Sequence, residues 1–275
     1  MHARIRSIDE KNFKEGESLS KETRLQSLKN FLSNAQYSTI KELANVFDVS
    51  EMTIRRDLKL LKDEGVIDIY NGVVILKEVE NYKMRRIKNV REKEKLSELA
   101  LPYVQGRNFI YIDGCTTNLI FSQKLVKMNL NNKITVITND PRITIELSSN
   151  PQISVFMLPG FYDSDGGVLI YHDINDIERY IGGVEIAFIG ITAISREGDF
   201  SNANPFEVAL KRKMVEMAKE VIFLADHTKF GKEFPWRVAT MKEVHVVVTD
   251  RKPDEIFLKL AKKYDTTIIF PRGTL

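Results

Sequence analysis

The sequence predicts an α/β chain in two parts, an N-terminal winged helix-turn-helix and a larger, doubly wound, mainly parallel α/β domain. Three observations carry this. Around position 50, two short amphipathic helical stretches are separated by only a few residues, Asp48-Val49-Ser50. Directly after them, two short apolar runs flank Asn71-Gly72, a strong tight-turn pair. From about residue 91 the pattern changes to continuous apolar runs with helical stretches between several of them. Such runs argue a mainly parallel sheet covered on both faces.

The totals set the frame. The chain has 275 residues, enough for two domains. With 43% hydrophobic residues it can build a core, and no apolar run reaches the ~20 residues of a membrane span. Met1 to Ser20 is polar and charged without the apolar stretch of a signal peptide. Residues 1–21 are therefore read as a flexible lead-in, and a bacterial cytoplasm is expected. A single cysteine, Cys115, excludes an internal disulfide and a Cys-rich metal site. No motif asks for a cofactor.

The first domain is expected over 22–77. Its opening helix, about 22 to 34, carries Leu25, Leu28 and Leu32 on one face. Thr39 to Glu42 reads as a capping box, and Leu43, Ala44 and Phe47 form a short apolar face. Ser50 is a good N-cap for the next helix. There Ile54, Leu58 and Leu61 share one face at i, i+4 and i+7. At roughly 100° per residue, Met52, Arg56 and Lys59 point away from it, with Arg55 on the flank. A short helix held by its apolar underside can enter the major groove and aim guanidinium groups at phosphates and guanine edges. Double-stranded DNA is thus the expected partner, with Thr39, Ser50, Glu51, Met52, Thr53, Arg55, Arg56 and Lys59 as the contact residues. Gly65 ends the helix, and Val66–Tyr70 and Val73–Leu76 form the wing.

The net charge of +3 is mild, and acids nearly cancel bases within 22–77. Affinity must come from where the charges sit. The basic excess lies next door, in Lys83, Arg85, Arg86, Lys88, Arg91, Lys93 and Lys95. Residues 78–92 are read as a basic linker, solvated or in contact with phosphates.

The second domain is expected over 93–275. Strand runs lie at 109–112, 134–137, 153–158, 186–189, 221–224, 244–248 and 267–270, and the clearest helical patterns at 96–104, 118–126, 143–147, 206–218 and 253–264. Ligands bind such sheets beyond the carboxyl ends of the strands. Asp113-Gly114-Cys115-Thr116-Thr117 follows the first strand and opens a helix, offering N–H groups and two hydroxyls to a phosphate or carboxylate. Thr116 could equally be a plain N-cap. The loop is neither a Walker A sequence nor a dinucleotide fingerprint. Thr138-Asn139 ends the second strand and Pro159-Gly160 the third. Asp226 to Gly231 ends the fifth, with Lys229 as an anion partner and His227 as a polar loop residue. Asp250 ends the sixth, where it would cap the helix opened by Pro253.

These residues resemble the DeoR family of bacterial transcriptional regulators. Leu43-Ala44, Phe47, Val49-Ser50-Glu51 and Thr53-Ile54-Arg55-Arg56-Asp57-Leu58 match its DNA-binding motif. Asp113, Gly114, Thr116, Thr117, Thr138-Asn139 and Asp226, Lys229, Phe230, Gly231 match its C-terminal effector domain, related in fold to ribose-5-phosphate isomerase and glucosamine-6-phosphate deaminase. The resemblance implies a regulator, a repressor of sugar-metabolism genes in the first instance, that senses a phosphorylated sugar. The implied effector-binding residues are Asp113, Gly114, Thr116, Thr117, Asn139, Gly160 and Lys229. Three departures stand out. The wing, Ile67 to Val73, lacks the family's arginine; Cys115 replaces a threonine; Pro159-Gly160 replaces a Gly-Gly pair.

Two other classes fit the same pattern: an isomerase or deaminase fused to a DNA-binding domain, and a DNA-binding scaffold with a ligand-free second domain. The first needs a general base poised beside a substrate carbon. Asp113, Asp199 and Glu207 exist, but no spacing marks a pair. A single helix-turn-helix reads few base pairs, so a homo-oligomer, dimer or tetramer, is expected.

Overall fold

The computed structural model describes residues 20–35, 37–76, 82–164, 166–170 and 174–271. Residues 1–19, nearly all of the expected lead-in, lie outside the described residues. The described chain falls into two compact units that divide between residues 77 and 78.

In the first unit, helix α1 (Lys21–Ala35) is followed by strand β1 (Tyr37–Thr39), α2 (Ile40–Val46), α3 (Glu51–Asp63), β2 (Ile67–Tyr70) and β3 (Val73–Leu76). Leu28, Leu32, Leu43, Phe47, Ile54, Leu58, Leu61 and Ile67 pack into one core, as the helical spacing predicts. The Thr39–Glu42 capping box is present: the Glu42 N–H donates to Thr39 Oγ1 at 3.1 Å, and the Thr39 N–H to Glu42 Oε2 at 2.9 Å. Asn71 and Gly72 both take positive φ, 49° and 80°, which the tight hairpin between β2 and β3 requires. The sheet has a third strand that periodicity did not mark. β1 is three residues long, too short for a period-2 signal, and pairs antiparallel with β3.

The second unit begins before residue 93. Helix α4 (Tyr82–Ile87) and α5 (Val90–Ala100) occupy much of the stretch expected as linker. Tyr82 and Lys93 are buried, Tyr82 within the core of the second unit. From Tyr82 onward the stretch is helical rather than a bare linker, with Tyr82 and the Lys93 stem packed in, while Arg86, Lys88, Arg91 and Lys95 are exposed as expected of a solvated basic run.

Strands β4 (Phe109–Ile112), β5 (Ile134–Thr138) and β6 (Ile153–Met157) alternate with α6 (Thr116–Leu125) and α7 (Pro141–Leu147). A hairpin, β7 (Phe161–Asp163) and β8 (Val168–Ile170), and the short helix α8 (Ile177–Tyr180) lead to β9 (Val184–Gly190). Then come β10 (Ala193–Ile194), β11 (Asp199–Asn202), α9 (Pro205–Met217), β12 (Ala218–Leu224), β13 (Trp236–Thr240), β14 (Val246–Val248), α10 (Glu255–Tyr264) and β15 (Thr267–Ile269). Seven of these strands form one all-parallel sheet in the order β15-β14-β12-β9-β4-β5-β6. They coincide with the seven expected runs.

Both faces are covered. α5, α6 and α7 bury Leu96, Phe121 and Ile143 against Ile110, Ile112 and Val136. α9 and α10 bury Met214 and Phe257 against Tyr111, Ala187 and Phe223. The chain starts at β4, winds outward to β6, then crosses back to β9 and winds the other way. β4 and β9 are therefore the neighbours at which strand order reverses, and the carboxyl ends of that pair flank the crevice of a doubly wound sheet.

Candidate functional site

Each unit carries one candidate site. In the first, Ser50 Oγ accepts the Thr53 N–H at 3.2 Å and so starts α3. Ile54, Leu58 and Leu61 are buried, while Glu51, Met52, Arg55, Arg56 and Lys59 are exposed. Met52, an apolar side chain, is 68% exposed. Arg55 is partly engaged by Glu51 at 3.4 Å on the same helix. Asp57, also on α3, is buried, and Arg24 of α1 meets it twice, Nε to Oδ2 at 2.5 Å and Nη2 to Oδ1 at 3.2 Å. That brace was not legible in the sequence, because its partners stand 33 residues apart.

The second site lies at the β4–β9 reversal. Asp113 directly follows β4, and its carboxylate accepts the Gly190 N–H from the end of β9 at 3.1 Å. The Tyr111 hydroxyl reaches it at 3.4 Å. Lys211, from α9, places its ammonium on Asp113 Oδ2 and also donates to the Gly190 carbonyl at 3.1 Å. Glu207, one turn earlier on α9, stands 3.6 Å from the same ammonium. Burial works against the Lys211 charge, but Asp113 and Glu207 hold its pKa above the ordinary lysine value. Burial pushes the Asp113 carboxyl up, while Lys211 and the Gly190 N–H oppose that shift.

The loop that follows is held from several sides. The Gly114 N–H donates to Asn139 Oδ1 at 2.9 Å, and Asn139 Nδ2 donates to the Leu169 carbonyl at 3.0 Å. Asn118 Nδ2 bridges the carbonyls of Asp113 and Phe188, tying β4 to β9. The N-cap of α6 is Cys115 rather than Thr116: its sulfur accepts the Asn118 N–H at 3.3 Å. Thr116 and Thr117 form the first turn of that helix. Asp113 and Asn139, read from sequence as ligand-facing, are committed to protein partners. Gly114 is required by packing, since a Cβ there would lie 2.4 Å from Val168 Cγ1. Gly160 is likewise a close-approach position, its Cβ falling 2.3 Å from the Ile170 carbonyl oxygen.

Asn202, Asn204, Asp163 and Arg142 carry no mark in the sequence, and Glu207, named there only as a carboxylate without a partner, joins them. Glu207 accepts from Asn202 Nδ2 at 3.1 Å and Asn204 Nδ2 at 3.3 Å, and Asn204 also reaches Asp163 at 3.1 Å. Arg142 grips Asp140 through Nε and Nη2 at 2.8 and 2.6 Å. Its guanidinium carbon lies 3.4 Å from the centroid of the Tyr82 ring. One signal was available for Lys211: it sits beside Leu210 and one turn before Val215, a lysine inside a stripe that α9 buries.

At the end of β12, Asp226 caps a single 3-10 turn, His227–Lys229, by accepting the Thr228 N–H at 2.9 Å. Burial raises the Asp226 pKa, but Lys229 and Thr228 outweigh it and bring the carboxyl below its usual value. His227 is more than a loop residue: its Nδ1 lies 2.9 Å from Asp250 Oδ2, and its N–H donates to Asp250 Oδ1 at 2.6 Å. Asp250 therefore does not cap α10; Asp254 stands at that position. Lys93 is held by the carbonyls of Arg85 and Lys88, at 2.5 and 2.6 Å, and burial lowers its pKa. Among the described residues no group of His, Cys, Asp and Glu could hold a metal ion, and no helix is long and apolar enough to cross a membrane.

Two family models match the chain. Residues 24–79 match the DeoR-like helix-turn-helix domain, and residues 88–251 the DeoR C terminal sensor domain. The HTH-type transcriptional regulator GolR of Listeria innocua is 30% identical over 229 residues, covering 80% of this chain and 87% of the relative. The HTH-type transcriptional repressor GlcR of Bacillus subtilis is 30% identical over 244 residues, covering 87% and 92%. The glycerol-3-phosphate regulon repressor of Haemophilus influenzae is 24% identical over 253 residues, covering 91% and 97%. Among solved structures, ribose 5 phosphate isomerase A from Neisseria gonorrhoeae aligns with 50% of this chain and 52% of its own at 15% identity, with a TM-score of 0.37.

Proposed function

The chain belongs to the DeoR family of transcriptional regulators, and from that premise we propose that it is a repressor of sugar-metabolism genes controlled by a phosphorylated sugar. Residues 22–77 bind operator DNA through the exposed side of α3. The domain that follows binds the effector and carries the oligomer contacts that bring two recognition helices onto repeated half-sites.

The observation that carries the effector assignment is the β4–β9 reversal itself, where the loop that opens α6 is joined to α9 and to the end of β9 through Asp113, Lys211 and Gly190. Helix N-termini attract anions through free N–H groups and the macrodipole. Thr116 and Thr117, in the first turn of that helix, supply hydroxyls and the Thr116 N–H, the Thr117 N–H being turned to the Cys115 sulfur, and Lys229 adds a positive charge. Asp113 and Asn139 act at one remove, positioning the loop through Lys211, Gly190 and Gly114. Glu207 and Asn204, on the α9 side, likewise act at one remove, tying α9 to Asn202 and Asp163. The same Asp113–Lys211 pairing weighs against enzyme chemistry, because a general base must be open to a substrate proton.

Calorimetry of the full chain with a panel of sugar phosphates tests this reading. One phosphorylated sugar should bind much more tightly than its unphosphorylated form, and Thr117→Ala and Lys229→Ala should each weaken it. Operator affinity without effector should stay the same in both variants. Equal affinity for the phosphorylated and plain sugar would refute the phosphate cradle, and turnover of the sugar would make the protein an enzyme.

A further inference from the structure

A cavity of about 340 Å³ opens along the carboxyl edge of the sheet, beyond β12 and β14. It shares no residue with the crevice where β4 meets β9. Phe230 and Phe257 give it an apolar wall, their rings meeting edge to face with centroids 5.0 Å apart. Arg196, His227, Arg251 and Lys252 give it a basic lining, against a single acid, Asp254. Lys252 is paired with Glu255, and Arg251 shares Asp250 with His227. Arg196 makes no ion pair among the described residues.

Two independent features point to a bound anion. Asp254, the N-cap of the ten-residue helix α10, lines the cavity but makes no side-chain cap bond, and Glu255 of the first turn is paired with Lys252, so the first N–H groups of the helix, at Glu255 and Ile256, carry no side-chain cap. Thr249, which also lines it, is fully buried, and its hydroxyl has no hydrogen-bond partner. Val247 faces the core that contains Phe257, and side chains alternate along a strand, so Thr249 points to that same side, beneath the cavity. A buried hydroxyl without a partner costs free energy that a ligand oxygen would recover.

We propose that this cavity is a second anion site, for a small organophosphate whose phosphoryl group meets Arg196, Thr249 and the start of α10 while its organic part lies on Phe230 and Phe257. The volume lies near the lower end of ligand pockets, which run from about 300 to 1,000 Å³, and suits a small metabolite. A link between the two sites rests on the proposed effector site: His227 lines the cavity, and the same single turn, His227–Lys229, carries the Lys229 assigned to that site.

Equilibrium dialysis of the full chain against radiolabelled inorganic phosphate tests the proposal. Two phosphates per chain are expected, one lost in Arg196→Ala/Thr249→Val and the other in Thr117→Ala/Lys229→Ala. Arg196 is exposed, so Arg196→Ala alone keeps the test free of folding defects. It should weaken the site roughly tenfold, as loss of one charge-assisted hydrogen bond does. Unchanged phosphate binding in Arg196→Ala/Thr249→Val overturns the cavity site. If the cavity variant alone loses phosphate, this site stands and the crevice assignment falls. Phenyl phosphate, which adds a ring for the aromatic wall, should bind here more tightly than inorganic phosphate. Equal binding of the two overturns the organic-ligand assignment.

Discussion

The ammonium of Lys211 rests on the carboxylate of Asp113, 98 residues away in sequence, with both side chains 2% exposed. This contact sits where strand order reverses and links α9 to the end of β4. Breaking such a pair from one side leaves a buried charge uncompensated. Lys211→Met should therefore cost about 3–5 kcal/mol, and Asp113→Asn combined with Lys211→Met should recover most of that loss. Urea unfolding followed by the fluorescence of Trp236, the only tryptophan, reads the second unit alone. A double variant no more stable than Lys211→Met would show that the pair is not what the single substitution removed.

Cys115 should be slow to alkylate at neutral pH. Burial, with Asp113 adding to it, pushes its thiol up to about 11. An unfolded cysteine titrates near ~8.5, so the thiol's contribution to stability is present below that pH and is lost as pH rises from there toward 11. The iodoacetamide rate on native protein should climb steadily from pH 8 to above 10. A plateau by pH 9 would contradict the buried-thiol environment.

Gly114→Ala should destabilise the second unit by about 1–3 kcal/mol, the usual cost of overpacking. Its new methyl would lie 2.4 Å from Val168, on the β7–β8 hairpin. Val168→Ala in the same chain should restore part of the loss, measured by thermal melting. If the second substitution only adds to the damage, the hairpin is not the obstacle.

Arg24 and Arg56 should separate stability from recognition. Arg24→Ala removes the partner of buried Asp57 and should cost the first unit about 3 kcal/mol. Arg56→Ala should leave the melting curve alone and cost about 1–3 kcal/mol in operator affinity if it meets a guanine edge. Circular dichroism and operator titration at one salt concentration check both. Unchanged operator binding in Arg56→Ala removes it from the interface.

Arg142→Ala should disturb signalling more than effector binding. Its guanidinium holds Asp140, covers Tyr82 of α4 and fills the space where a Cβ on Gly167 would stand 2.1 Å away. α4 is the first described helix after the DNA-binding unit in the chain. The variant should bind effector within a few-fold of wild type, yet show little change in operator affinity when effector is added. A full effector response in Arg142→Ala would exclude this contact from the coupling.

Much of this was legible in the sequence because its signals are local. The caps at Thr39 and Ser50, the Asn71-Gly72 turn and the stripe Ile54, Leu58, Leu61 each depend on residues a few positions apart, so propensity and period determine them. The seven parallel strands were readable for the same reason, since strands covered on both faces are continuous apolar runs. Tertiary structure alone decided what those elements hold. Antiparallel pieces of two to five residues, β7, β8, β10, β11 and β13, are too short to carry a period. Lys211 reads as a helix lysine until folding carries it to Asp113, and Arg24 as a surface arginine until α1 packs on α3. Asp113 looked open to a ligand for the same reason, because a carboxylate's partners come from wherever the chain returns, and one-dimensional spacing does not record that return.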